Sequence, residues 1–256
     1  MKEQFWCDQL GKVLFTPQVL TLLLKILHGL DINTENHSVL NSDLPRKRIL
    51  CDKVYKLPHY PDEDGCILQV EVERGHPETI LRRSFDYTCE LFHEHETRIL
   101  PVIALLSRTI PQGYNFSMEI PFITNDSCPQ FYTPYWILLP DQCHGSLIAQ
   151  QHKDRIFAAP DHELFPIRLY LLDKSQAIQQ VKELQTEFAI QSNQYPDHLL
   201  EQVNYVLYMK HELTQEEFRK LHWNQLSEVL QTLISVEPLQ SWPQPSHPPL
   251  ICFFLY

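Results

Sequence analysis

Three acidic residues, Asp52, Glu71 and Glu73, lie within segments that are otherwise rich in strand-forming side chains. Hydrolysis of a phosphodiester requires neutralisation of the phosphate charge and a water that is deprotonated at neutral pH, and a divalent cation held by carboxylates supplies both. Magnesium prefers such oxygen ligands. If the two segments are neighbouring strands, about 5 Å apart, Asp52 and Glu71 can hold an ion together. Two acids on adjacent strands also occur on solvated sheet faces, so this pattern alone leaves both interpretations open.

The segments around these acids predict two paired strands. Apolar and aromatic residues in the segment 48–57 favour a strand with an acid at its centre. The pair Asp64-Gly65 is a strong hairpin-turn signal, and a second strand is predicted from Cys66 to Glu73. Because side chains alternate between the two faces of a strand, Glu71 and Glu73 should share one face.

Helices and a further strand are predicted around this pair. Thr16 followed by Pro17 is typical of a helix start, and apolar residues recur at helical spacing as far as Gly29. A second helix should run from Pro77 to about Glu96, and the apolar run from Ile99 to Leu106 predicts a buried strand. The apolar stripe predicted for the second helix comprises Leu81, Phe85, Thr88, Leu91 and Phe92.

The C-terminal half is less informative. Residues 110–165 are rich in proline and aromatic residues, with one strand predicted at 135–139 and another at 166–172. From Asp173 the pattern is helical, and Thr214 with Glu217 forms a capping box for the last helix. The chain is therefore expected to comprise an α/β domain over residues 1–172 and a C-terminal helical region over 173–256, which includes a proline-rich tail.

A series of short motifs resembles the Rpn family of PD-(D/E)XK nucleases. Five segments match in order and at compatible spacings, although Cys7 and Gly11 replace a histidine and an aromatic residue of the first motif. The matching positions are Asp8 with Lys12, the strand 48–56, the strand 68–73, Arg83 with Tyr87, and the segment 100–103.

This resemblance implies a restriction-endonuclease-like αβββαβ core with a mixed sheet, dependence on Mg²⁺ with Mn²⁺ as a substitute, and cleavage of DNA. Family members are described as recombination-promoting nucleases or transposase-like proteins, and nucleases of the superfamily often form homodimers. Transferred by position, Asp52 and Glu71 would bind the metal. Glu73 would stand where the superfamily has a lysine and Rpn proteins usually have glutamine. An acid there can orient or deprotonate the attacking water.

The charge of the chain restricts how it could bind DNA. Its formal net charge is −11, from 21 Lys and Arg against 32 Asp and Glu, so DNA contacts must be local. The best candidates are Arg46, Lys47 and Arg48 before the first acid, and Arg83 after the second strand, although all four can equally be solvated surface charges. Arg83 and Tyr87 can either touch a phosphate backbone or pack the helix.

The same charge and Glu73 also suit a second interpretation. In it, the fold is retained without catalysis and acts as an interaction module through its acidic surface and helical C-terminus. The two interpretations differ in whether the acids bind a divalent ion.

Composition places the protein among folded, reducing-compartment proteins. Seven cysteines form no CxxC pair, and no segment has the character of a secretory signal or a membrane span, so a cytoplasmic location is expected. The run His93-Glu94-His95-Glu96 is better explained as a solvated helix end than as a metal cluster, because consecutive helical residues point in different directions.

Overall fold

A computed structural model describes residues 10–11, 13–32, 37–40, 43–44, 49–50, 52–58, 60–61, 64–73, 77–106, 110, 114–119, 131–140, 146–191 and 197–221. Within these residues the chain is a mixed α/β protein. Its strands are β1 Ser38–Val39, β2 Asp43–Leu44, β3 Ile49–Leu50, β4 Lys53–Leu57, β5 Cys66–Glu73, β6 Ile99–Leu105, β7 Met118–Glu119, β8 Phe131–Tyr132 and β9 Tyr135–Leu138. Its α-helices are α1 Pro17–His28, α2 Pro77–His95, α3 Leu147–Ala158, α4 Phe165–Tyr170, α5 Lys174–Gln191, α6 Asp197–Met209 and α7 Gln215–Lys220.

Five of these strands form one mixed sheet in the order β1-β4-β5-β6-β9. Strand β4 is antiparallel to both of its neighbours, β1 and β5, whereas β5, β6 and β9 run parallel to one another. The antiparallel pair β4 and β5 is joined by a turn in which Gly65 has a φ of 69°, a left-handed conformation that glycine adopts without strain. A Cβ at that position would also collide with the backbone of Leu57 and Pro58. The predicted hairpin at Asp64-Gly65 is therefore confirmed.

Helices cover both faces of the sheet. The main hydrophobic cluster joins α1 and the C-terminal helices to one face, where Leu68, Val70 and Val72 point from β5. Helix α2 covers the opposite face, where Ile67 lies beside Tyr87 and Leu91. This arrangement follows the predicted alternation along β5 and puts Glu71 and Glu73 on the α2 side. Helix α3 contributes to clusters on both faces.

The start of α1 also agrees with its sequence signals. The Thr16 hydroxyl accepts a hydrogen bond from the Val19 amide, and Pro17 occupies the first turn, where its missing amide hydrogen is not needed. Gly29 ends the helix with a φ of 71°. The helix predicted between Thr16 and Gly29 is confirmed.

The strand predicted over residues 48–57 is interrupted. Residues 49–50 pair with β2, outside the main sheet, and Asp52 lies in a bend before β4 begins at Lys53. The prediction of one continuous strand with Asp52 at its centre was therefore wrong. Hydrophobic content cannot distinguish two short strands with different partners from one longer strand.

A second correction concerns the segment 166–172, which was predicted as a strand. It lies in α4 and the turn that follows. All residues of this helix are buried except Arg168, which is half-buried. Its sequence is therefore apolar on every side and lacks the periodicity that would distinguish a helix from a strand. Pro166 in its first turn suits a helix start.

The other element predictions agree closely with the structure. Helix α2 and strands β6 and β9 occupy the predicted segments, and Thr214 and Glu217 form the reciprocal bonds of a capping box. Phe92, however, is 57% exposed, so its place in the buried stripe of α2 was wrong. The run from His93 to Glu96 is exposed, as expected of a solvated helix end. The predicted proline-rich tail lies outside the described residues.

The C-terminal helices α5, α6 and α7 share the main hydrophobic cluster with the sheet. The Gln202 side chain of α6 donates to the Val13 carbonyl, which also links the C-terminal helices to the N-terminal part of the chain. Among the described residues, no helix combines the length and the apolar character needed to cross a bilayer.

Candidate functional site

Asp52 lies at the point where β4 begins to pair with β5. Lys53 pairs with Val70, so Asp52 stands one step beyond the last ladder pair, beside Glu71. Its Oδ2 accepts a hydrogen bond from the Val72 amide at 2.7 Å. The side chain thereby gives the Val72 amide of β5 a partner at a position that β4 does not reach. Asp52 consequently has a structural role in addition to any chemistry.

Glu71 and Glu73 lie at the end of β5 and face α2. Glu71 is almost fully buried, with 1% of its side chain exposed, and Glu73 is 14% exposed. Burying a carboxylate is costly unless an opposite charge or hydrogen bonds compensate it. The fold must therefore supply a cation or several donors at this position.

Arg83 of α2 supplies such a cation. Its Nη2 lies 3.1 Å from Glu73 Oε2, and its Nε lies 3.5 Å from Glu71 Oε2. Burial alone would lower the pKa of Arg83, but the carboxylates of Glu71 and Glu73 outweigh burial and raise that pKa above its ordinary value, with a smaller contribution from Asp52. One guanidinium is thus shared by Glu71 and Glu73. We define Asp52, Glu71 and Glu73 as the acidic cluster.

A buried hydrogen-bond network holds α2 against β5 next to the acidic cluster. The Gln69 amide nitrogen donates to the Ser84 carbonyl at 3.1 Å, and the Thr88 hydroxyl donates to Gln69 Oε1 at 2.7 Å. The Tyr132 hydroxyl completes the network, at 2.8 Å from Ser84 Oγ and 3.0 Å from Thr88 Oγ1. Because Arg83 directly precedes Ser84 on α2, this network fixes the helix turn that carries the guanidinium.

Sequence reasoning did not identify this network. Ser84 and Thr88 stand four residues apart on one helix face, and Gln69 lies two residues before Glu71 on the same strand face. These spacings were visible in the sequence. Their pairing with Tyr132 was not, because it depends on how β8 reaches α2.

The predicted DNA-contacting residues have different outcomes. Arg46, Lys47 and Arg48 lie outside the described residues, as do Asp8 and Lys12 of the first motif. Arg83 is directed to the two glutamates, with 40% of its side chain exposed. Tyr87 is buried against Val54 and Leu91, which favours its packing role over a phosphate contact.

The acidic cluster has the hard oxygen donors that magnesium prefers. The side chains, however, form a salt-bridged arrangement: Asp52 holds a backbone amide, and Arg83 holds both glutamates. Among the described residues, no three His, Cys, Asp or Glu side chains form a group positioned to bind a metal ion. The donor set thus fits Mg²⁺ chemically, and metal binding by Asp52 and Glu71 stays a prediction.

These features define a mixed α/β protein in which the central strand β5 ends beside a largely buried acidic cluster that forms salt bridges with Arg83. No known family model matches the sequence, and neither a similar curated protein nor a similar solved structure was found.

Proposed function

We propose that the protein is a divalent-metal-dependent deoxyribonuclease of the PD-(D/E)XK type. The observation that carries the proposal is the position of the acids: Asp52, in the bend that precedes β4, stands beside Glu71 of the antiparallel neighbour β5, and Glu73 shares the face of Glu71. Few structural needs bring three carboxylates together in a largely buried place.

The order of elements supports the same proposal. Helix α1 is followed by the antiparallel strands β1, β4 and β5, then by helix α2 and the parallel strand β6. This is the αβββαβ order that the motif resemblance implies for a restriction-endonuclease-like core. The short pair β2 and β3 would be an insertion between β1 and β4.

In this proposal Asp52 and Glu71 would hold Mg²⁺ or Mn²⁺, which supplies charge neutralisation at the phosphate and an activated water. Glu73, the more exposed of the two glutamates, can accept a proton from a water at its carboxylate. Arg83 is partly exposed, so its guanidinium can also bind a phosphate oxygen of a DNA strand laid across the acidic cluster. A homodimer would allow both strands to be cut.

The test is conversion of supercoiled plasmid to nicked or linear DNA by purified protein with Mg²⁺ or Mn²⁺ and with EDTA. The informative variant is Asp52→Asn, because its amide oxygen can still accept the Val72 hydrogen bond while the negative charge is lost. We expect Asp52→Asn and Glu71→Gln to lower the rate at least a hundredfold, roughly the loss typical of an essential catalytic group. Glu94→Gln is the matched control, because Glu94 is exposed near the end of α2.

Cleavage by Asp52→Asn at the parent rate would show that the site is assigned wrongly. Circular dichroism of each variant separates a catalytic loss from an unfolded protein. Activity that survives EDTA would contradict the metal dependence.

A second candidate function is a non-catalytic interaction module with the same fold. It is favoured by Arg83, which already forms salt bridges with Glu71 and Glu73 without a metal, and by the net charge of −11. Calorimetric titration with Mg²⁺ separates the two candidates. A nuclease must take up the ion, and Asp52→Asn must weaken the uptake, whereas the module need not bind it.

A further inference from the structure

Another polar site is at the outer edge of the main sheet, where no strand of the described residues lies beyond β9. Such an edge exposes backbone groups that need partners. The His28 ring places Nε2 2.8 Å from the Trp136 carbonyl, and the Leu138 amide donates to His152 Nδ1 at 3.1 Å. We call these two side chains and the strand they cover the histidine edge. The two rings take the positions that backbone groups of a sixth strand would take.

These two bonds fix the tautomer of each ring. A carbonyl only accepts, so His28 Nε2 carries the hydrogen and its Nδ1 keeps a lone pair. A backbone amide only donates, so His152 Nδ1 is the acceptor and its Nε2 carries the hydrogen. Burial lowers the pKa of His152 to about 4 and also lowers the pKa of His28, so both rings are neutral near pH 7. The pair therefore retains one acceptor and one donor for other partners.

Both rings line a cavity of about 390 Å³. This volume lies within the range of about 300–1,000 Å³ that small-molecule sites occupy. The remaining walls come mainly from aromatic and apolar side chains. They are Phe116, Thr133, Pro134, Tyr135, Trp136 and Ile148.

The aromatic walls of this cavity are positioned by a hydrogen bond and by ring contacts. The Trp136 indole donates to the Phe116 carbonyl at 2.8 Å, and the rings of these two residues pack edge to face with centroids 5.3 Å apart. On the other side, His28 packs against Tyr135 at 5.3 Å and against His152 at 5.7 Å. Arg155 of α3 donates from Nη1 to the carbonyl of Leu27, the residue before His28, at 2.8 Å, so a cation also lies near the cavity.

We propose that this cavity binds a nucleobase, with the base against the aromatic walls and its hydrogen-bonding edge on His28 and His152. Bases present neighbouring donors and acceptors at their edges and stack on aromatic rings when they are unpaired. Arg155 would attract the phosphate attached to the base. The base can belong to a free nucleotide or to a single strand, since the chemistry is the same. The proposal does not depend on nuclease activity, because binding is measured without metal.

The test is calorimetric titration in EDTA with dAMP, dCMP, dGMP and dTMP, and with an eight-residue single-stranded oligonucleotide of mixed sequence. Deoxyribose 5-phosphate is the probe that lacks a base. We expect binding of at least one mononucleotide or of the oligonucleotide, and none of the sugar phosphate. Binding of mononucleotides indicates a free-nucleotide site, whereas binding of the oligonucleotide alone indicates recognition of a strand.

Two variants block the cavity at positions that the fold leaves open. Thr133 is exposed and Ile148 is 42% exposed, so Thr133→Trp and Ile148→Trp should fill the cavity without disturbing the core. Each should weaken binding roughly tenfold or more, the loss expected when a stacked base is displaced. Leu147→Trp is the matched control, because Leu147 precedes Ile148 on α3, is 73% exposed and does not line the cavity.

A second measurement follows the histidines themselves. When a nucleotide that binds is added, the ring ¹⁵N resonances of His28 and His152 should shift, whereas those of exposed His93 should not. The proposal is overturned if no probe binds, if the sugar phosphate binds as well as the nucleotides, if Leu147→Trp weakens binding as much as the blocking variants, or if the two histidine resonances do not respond.

Discussion

The acidic cluster and the histidine edge lie on the same sheet, yet they stabilise buried titratable groups in opposite ways. At the acidic cluster the groups are held beside an opposite charge, and Arg83 forms salt bridges with both Glu71 and Glu73. At the histidine edge the groups are kept neutral, and backbone partners fix which nitrogen carries the hydrogen.

This difference has consequences for stability. A salt-bridged cluster loses stability when the partner of a buried charge is removed, because that charge then stays buried without compensation. A fold that keeps a histidine neutral loses stability as the pH falls, because the unfolded chain takes up a proton on that histidine more readily than the folded protein does. The first site should therefore respond mainly to substitution of a partner, and the second to pH.

The largest effect is expected for Arg83→Met. This change leaves the 1%-exposed side chain of Glu71 without its cationic partner. Removing one member of a buried ion pair costs roughly 3–5 kcal/mol, and the partial exposure of Arg83 places the expected loss near about 3 kcal/mol. Urea unfolding at pH 7 measures this loss as a lower midpoint with an unchanged slope.

Arg82→Met is the matched control for this prediction. Arg82 stands one position earlier on α2, is 57% exposed and pairs with Asp86 at 3.7 Å, so its loss should change stability by less than about 0.5 kcal/mol. Adding Glu71→Gln to Arg83→Met should recover a large part of the lost stability. Equal losses for Arg82→Met and Arg83→Met would show that the acidic cluster does not depend on its arginine.

The next largest effect is a pH dependence that arises at the histidine edge. The unfolded chain takes up a proton on His152 near pH 6.5, whereas the folded protein does so only near pH 4. Between these values the unfolded state binds more protons, so stability falls as the pH is lowered and is fully restored above about pH 6.5. For this residue alone the loss between pH 7 and pH 5 is about 2 kcal/mol.

The variant His152→Asn removes this titration while keeping a side-chain acceptor for the Leu138 amide. Its unfolding free energy should therefore vary less between pH 7 and pH 5 than that of the parent. A smaller pH dependence of the same sign should remain in this variant, because burial also lowers the pKa values of His28 and His211. His93→Asn, at an exposed position, should keep the parent profile. If the His152→Asn variant also kept the parent pH profile, the pH dependence would not arise from His152.

The sequence predicted much of the acidic region and little of the histidine edge. Strand β5, its turn and helix α2 were predictable because alternation, an Asp-Gly pair and helical periodicity are local signals. The bend at Asp52 was not, because it depends on β3 pairing with β2. The salt bridges of Arg83 require the packing of α2 on β5, and the pairing of His28 with His152 joins residues more than 120 positions apart. No local pattern encodes such a contact.

The smallest of the three effects concerns the network that carries Arg83. Tyr132→Phe removes the hydroxyl shared by Ser84 and Thr88, but both of these residues remain linked to Gln69. Burial raises the pKa of Tyr132 to about 12, with the two hydrogen bonds opposing that rise and Glu71 adding to it, so the group is neutral and its loss leaves no buried charge. The expected cost is therefore about 1 kcal/mol, that of one neutral hydrogen bond, measured by urea unfolding. A cost as large as that of Arg83→Met would mean that this network stabilises the packing of α2 on β5 as strongly as the salt bridges of Arg83 do.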